Sequence, residues 1–148
     1  MGKNYYYKAF IAICICALQI SSVFAQCNSF VKKRCLSKMQ PFTNNGQVNT
    51  STLMSGQSAS LNTTFYAGQQ YRIFICSQEV LGKVTFRVLD ESGKVLFDSK
   101  VNGSPDFWDF NIESTQKLTI DVITPASDSP NSIIPSGCVT LMVGFKKG

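Results

Sequence analysis

Apolar and polar residues alternate along most of this chain with a period of two, the pattern of strands that bury one face and expose the other. The steadiest run is residues 71–76 (YRIFIC), where Tyr71, Ile73 and Ile75 fall on one face and Arg72, Phe74 and Cys76 on the other. Residues 138–145 answer it: Val139, Leu141, Val143 and Phe145 alternate with Cys138, Thr140, Met142 and Gly144. Paired antiparallel, the end of the first run lies beside the start of the second, which brings Cys76 and Cys138 within disulfide reach. The same alternation predicts strands over 48–54, 59–66, 84–90, 94–99, 106–113 and 117–124. Glu91, Ser92 and Gly93 mark the clearest hairpin turn. About eight short strands at this spacing predict a sandwich or a barrel.

One stretch breaks the pattern. Cys27, Phe30, Val31, Cys35 and Met39 recur at helical spacing, with Pro41 just beyond, and predict one short helix over 27–39. Asn44, Asn45 and Gly46 read as the turn that leads from it into the sheet. This divides the chain into a leader over 1–25, a helix and linker over 26–47 and a sandwich over 48–148.

The leader has the parts of a secretory signal. Lys3 and Lys8 precede an apolar run over 9–18, and small residues lead to a cut after Ala25. A membrane-spanning helix needs roughly 20 apolar residues, and Gln19 and Ser21 interrupt this run early. The expected location is therefore secreted or periplasmic, with no transmembrane segment left after cleavage. The net charge of +5 falls to +3 when the two leader lysines go, too mild and too scattered to indicate nucleic acid.

Cys14 and Cys16 leave with the leader, so Cys27, Cys35, Cys76 and Cys138 remain. An even number in an exported chain predicts two disulfides. Residues eight apart in a helix lie about 12 Å apart, beyond disulfide reach. A helix over 27–39 would send Cys27 and Cys35 to Cys76 and Cys138, whereas a loop there would favour Cys27 with Cys35 and Cys76 with Cys138. Zinc is the rival use of cysteine, but the chain has no histidine and no CxxC spacing.

Several segments together carry a resemblance: Cys-x7-Cys with basic residues between, FYAGQQYRIFICSQEVLG, VLDESGKVLFDS and SGCVTLMVGF. They resemble a group of small secreted four-cysteine proteins of the Bacteroidota, over nearly all of the exported chain. The strands from about Ala67 onward are also distantly similar to pre-peptidase C-terminal-type domains. These resemblances imply an all-β, antiparallel, jelly-roll-like sandwich, export, and a binding or structural role; neither brings a catalytic motif.

The absence of histidine removes the usual Ser-His-Asp and Cys-His arrangements. Most acids fall at predicted turns, where a carboxylate is ordinarily solvated, and no catalytic residue is assigned. Asp98, Asn102, Asp106 and Asp109 are candidate calcium ligands around one loop; no other cofactor is expected. In the aromatic cluster, Trp108, Phe110 and Ile112 share a core face. Phe107, Asp109 and Asn111 share the outer one and are the candidate ligand-binding residues. Lys32 and Lys33 read as a solvated basic face of the helix, with Arg34 nearer its buried stripe; contact with an anionic surface is the alternative.

The expected function is a secreted, non-catalytic binding or structural module whose partner is a protein or glycan surface. One alternative is a small secreted hydrolase acting on carbohydrate through paired carboxylates. Another is a secreted inhibitor presenting the Pro- and Ser-rich loop over 125–137.

Overall fold

The structure is a computed structural model and describes residues 27–127 and 133–147. The expected leader over 1–25 lies outside the described residues, as do residues 128–132 of the 125–137 loop. Eight strands are described: β1 (Thr43–Met54), β2 (Ser58–Phe65), β3 (Gln69–Ser77), β4 (Thr85–Leu89), β5 (Val95–Asp98), β6 (Phe107–Ile112), β7 (Gln116–Ile123) and β8 (Ser136–Lys147). They form two four-stranded sheets, ordered β1-β8-β3-β6 and β2-β7-β4-β5, with every pair antiparallel. β1 pairs with β8, β2 with β7, β3 with β6 and β4 with β5, the nested pairing of a jelly-roll-like sandwich.

The period-two pattern explains the layers. Tyr71, Ile73 and Ile75 of β3 meet Val139, Leu141 and Val143 of β8 on the inner face, against Phe86, Val88, Leu118, Ile120 and Val122 of the other sheet. β3 and β8 bury their outer faces as well, because the N-terminal helical segment covers them. Val31, Cys35, Met39 and Phe42 pack there on Phe74, Cys76 and Met142.

That segment is a composite: α-helical over residues 27–30, π-helical over Val31–Cys35 and 3-10 over Leu36–Met39. Its buried positions Cys27, Val31, Cys35 and Met39 come every fourth residue. An α-helix turns 100° per residue, so residues four apart drift by about 40° around it. The wider π turn offsets this drift and keeps Val31 and Cys35 aimed at the sheet.

The disulfides are Cys27–Cys138 and Cys35–Cys76. The helical segment is thus stapled to both central strands of its sheet, and Cys27 and Cys35 do not bond each other. Cys76 and Cys138 lie near one another but not in register: Cys76 sits opposite Thr140, and Cys138 exchanges two hydrogen bonds with Gln78.

β1 begins at Thr43, ahead of the expected Val48. The expected turn residues fall at a bulge within the strand, where residues 45–47 lie between the Asn44–Gly144 and Val48–Met142 pairs. Gly46 takes φ +86° and donates its N–H to Asn44 Oδ1 at 2.9 Å, so turn chemistry is spent inside the ladder.

Gly144 of β8 lies directly beneath the helical segment. A Cβ there would collide with Met39 Cε, and would come within 3.0 Å of Phe42 Cβ and 3.2 Å of the Thr43 carbonyl. Gly144→Val is expected to destabilise the protein by about 1–3 kcal/mol through overpacking, read from urea unfolding. Non-reducing peptide mapping should recover the Cys27–Cys138 and Cys35–Cys76 pairs. Replacing Cys35 and Cys76 together by alanine should cost about 2–4 kcal/mol in the same unfolding measurement.

Candidate functional site

The outer-face residues expected to meet a ligand stand where β6 borders the helical segment. Phe107 and Asp109 are drawn together there by Arg72 of β3, directly opposite Asp109 in the ladder. Arg72 Nε and Nη2 each donate to the Asp109 carboxylate at 2.7 Å. Its guanidinium carbon lies 4.4 Å from the Phe107 ring centroid and 4.5 Å from that of Phe42. A third bond, from Nη1 to the Gln40 carbonyl at 3.3 Å, ties the arginine to the end of the helical segment. The bidentate bond to Asp109 raises the Arg72 pKa despite partial desolvation. Phe107 and Asp109 therefore serve an internal cation sandwiched between two rings. Asn111 stays exposed, opposite Gln70.

The proposed calcium ligands are committed separately. Asp98 Oδ1 accepts the Lys100 N–H at 2.8 Å, and Asn102 Nδ2 donates to the Asp98 carbonyl at 2.6 Å. Asp106 pairs with Lys83 at 2.6 Å, and Asp109 with Arg72. Among the described residues no group of three or more Cys, Asp or Glu gathers to hold a metal ion. Asp121 accepts from Ser60 Oγ at 2.6 Å and from Arg87 Nη2 at 3.3 Å. Asp90 closes the β4–β5 hairpin, and the Ser92 hydroxyl holds its pKa below the ordinary carboxylate value, opposite to what a general acid requires.

A different feature carries binding character. Among the described residues, Ile133 is 80 % exposed, Ile134 60 %, Val80 57 % and Met54 50 %. These large apolar side chains sit on segments that converge at one end of the sandwich. The Ser55 N–H bonds the Pro135 carbonyl at 2.9 Å, and Met54 pairs with Ser136. Gly137 presses on Val80 so closely that a Cβ would approach Val80 Cγ1 to 3.0 Å. Sequence reasoning named the 125–137 loop as an inhibitor's presenting element but missed Met54, which joins it through the β1–β8 register, and Val80, which joins it from the 3-10 turn Glu79–Leu81.

The roots of this loop are fixed. On the entry side, the Thr124 hydroxyl is shared between the Met54 and Gln57 carbonyls, each at 2.7 Å, and the Gly56 N–H bonds the Pro125 carbonyl at 2.9 Å. On the exit side, Cys138 is held by its disulfide to Cys27 and by Gln78 Oε1, which accepts its N–H at 2.7 Å.

The fold resembles that of a lysozyme inhibitor. The solved structure is that of PliG from Aeromonas hydrophila, a periplasmic inhibitor of g-type lysozyme. It superposes with a TM-score of 0.51 and 12 % identity, covering 68 % of this chain and 85 % of that one. At that identity the likeness is one of fold. No family model matches the sequence, and no curated protein matches it.

Arg72 generates the prediction for this region. Arg72→Ala strips the Asp109 carboxylate of two charge-assisted bonds and unstacks two rings, at a cost of about 1–3 kcal/mol. Arg72→Lys should recover only part of this, since an ammonium lacks the planar fork. Chemical denaturation of the three proteins side by side checks the order.

Proposed function

We propose that this protein is an exported, non-catalytic binding module that docks a partner protein on the loop end of its sandwich, in the manner of an inhibitor. The observation that carries this reading is the convergence of Met54, Val80, Ile133 and Ile134, all exposed, on segments tied together by hydrogen bonds and a disulfide. Exposed apolar side chains gathered on a rigid base favour protein association. With Thr124, Pro125 and Cys138 already held, the roots of the loop need no further ordering on docking. Two disulfides in a chain with a signal-like start support export.

The fold neighbour's description supports the inhibitory form of binding, and a lysozyme is the partner class it brings forward. The paired-carboxylate hydrolase draws less support. Asp106, Asp109 and Asp121 are engaged by Lys83, Arg72 and Arg87, and Asp90 is held to its own hairpin.

The test is lysozyme inhibition. Added in stoichiometric excess, the protein should slow lysis of bacterial cell walls by a g-type lysozyme. The double substitution Val80→Asp and Ile134→Asp should weaken inhibition by about 30-fold or more, as loss of interface anchors does. Undiminished lysis by g-, c- and i-type lysozymes, with no binding in calorimetry, sinks the inhibitor reading.

A further inference from the structure

Positive charge is concentrated on one element of this protein. The helical segment carries Lys32, Lys33, Arg34 and Lys38 and no acid, whereas all nine Asp and Glu of the chain lie beyond residue 39, alongside eight Lys and Arg. The rest of the exported chain is therefore close to neutral. Burial of Cys27, Val31, Cys35 and Met39 against the sheet turns the residues between them outward. Lys32, Lys33, Arg34, Leu36 and Lys38 are all exposed, and Leu36, at 40 %, is the large apolar side chain among them.

These cations are uncommitted. Arg72, Lys83 and Arg87 each hold a carboxylate, but among the described residues none of the four on the helical segment forms an ion pair. Glu79 shares a recess with Phe30, Arg34 and Lys38 and pairs with neither cation there. Lys146 extends the same side of the molecule: it is exposed and continues the β8 row of Met142 and Gly144, on which the segment packs. The cations do not converge on a point. They occupy three successive rows around the segment, Lys32 with Leu36, then Lys33, then Arg34 with Lys38.

We propose that this outer face of the helical segment is a docking surface for an anionic phospholipid membrane. Basic residues near such a surface each gain from its negative potential, and a cluster on one side of an otherwise neutral molecule orients it during approach. Flexible lysine stems suit a layer of headgroups, since each ammonium settles on a different phosphate. The core of a protein interface, by contrast, is depleted in Lys, and three of these four cations are lysines. Leu36 decides between a bilayer and a soluble polyanion. An exposed apolar side chain amid cations enters the boundary between headgroups and acyl chains, whereas a polyanion offers it nothing. The surface lies on the side of the sandwich rather than at its apolar loop end, and the inference does not rest on the protein-docking reading.

The experiment is co-sedimentation of the purified, disulfide-bonded exported protein with vesicles of phosphatidylcholine, alone or with about one-third phosphatidylglycerol. The protein is expected to bind the anionic vesicles and not the neutral ones, and to be released by about 0.5 M salt. Lys32→Gln, Lys33→Gln and Lys38→Gln together should weaken binding about 100-fold. Lys94, Lys100 and Lys117 are exposed on other parts of the fold. Their joint replacement by Gln removes as much charge and should weaken binding less than about fivefold. Leu36→Ser should weaken it about fivefold. All three variants should keep the parent's unfolding midpoint, because the side chains they change are exposed. The proposal is overturned if anionic vesicles leave the protein in solution, if neutral vesicles bind it equally, or if the Lys94, Lys100 and Lys117 variant loses as much as the helical one. It is also overturned if Leu36→Ser binds as well as the parent, the behaviour of a site for a soluble polyanion.

Discussion

Burial of both faces of β3 and β8 is the constraint on which the rest of the structure depends. An antiparallel sheet ordinarily leaves one face to water, yet Phe74, Cys76 and Met142 point away from the sandwich core and remain under 8 % exposed. A short helical segment could not hold that face by itself, since so few turns are marginal without tertiary support. The disulfides supply the support. Cys35–Cys76 clamps the segment to β3 and Cys27–Cys138 clamps it to β8, closing chain separations of 41 and 111 residues. Gly144 then lets Met39 and Phe42 descend onto the strand, and Phe42 in turn provides one of the two rings that enclose Arg72. The helical cap that covers this face thus also reaches the Arg72–Asp109 pair through Phe42.

Much of this was legible in the sequence, and what was legible had a local cause. The alternation in YRIFIC assigned Tyr71, Ile73 and Ile75 to one layer and Phe74 and Cys76 to another, as the two core clusters have them. The helical spacing of Cys27, Val31, Cys35 and Met39 identified the buried stripe, and as a helix it would keep Cys27 from Cys35, though a loop there would have joined them. Other features depend on register between distant strands, which alternation does not fix. Cys76 and Cys138 belong to adjacent strands, but an offset of two residues leaves each free for the helix. Asn44-Asn45-Gly46 has turn chemistry in sequence and bulge geometry in the ladder, since a Gly at positive φ serves both. Phe107 and Asp109 were recognised as an outer-face pair. Their partner Arg72, across the ladder, was not: it holds the Asp109 carboxylate and lies against the Phe107 ring.

The two long edges of the sandwich, β5 beside β6 and β1 beside β2, are closed in different ways. Rings from β5 and β6 fill the space between the sheets on one side, so that edge is closed by packing. On the other side the facing strands carry short polar side chains. Such residues cannot bridge two sheets about 10 Å apart, and grooves of about 520 and 200 Å³ remain along β1 and β2. The Gln47–Thr63 bond spans this seam near one end. Edge strands rich in Ser, Thr and Asn also offer little apolar surface for unwanted pairing with another chain. Composition therefore makes the β1–β2 edge soluble and leaves it open.

Rigidity at the opposite end follows from the same staples. Cys138 is the third residue of β8 and lies just after the loop that carries Ile133 and Ile134, so the bond that holds the helix to the sheet also fixes the loop's exit. Its entrance is fixed independently by the Thr124 hydroxyl and the Gly56–Pro125 hydrogen bond. An apolar loop on a mobile base would lose conformational entropy on binding and would expose its hydrophobic residues to nonspecific contacts. Set on a covalently anchored strand, the same residues meet a partner with their roots already ordered. The disulfide framework thus does more than compensate for a small core: it joins the buried outer face of one sheet to the exposed apolar surface at the end of the sandwich, so that what stabilises the first also organises the second.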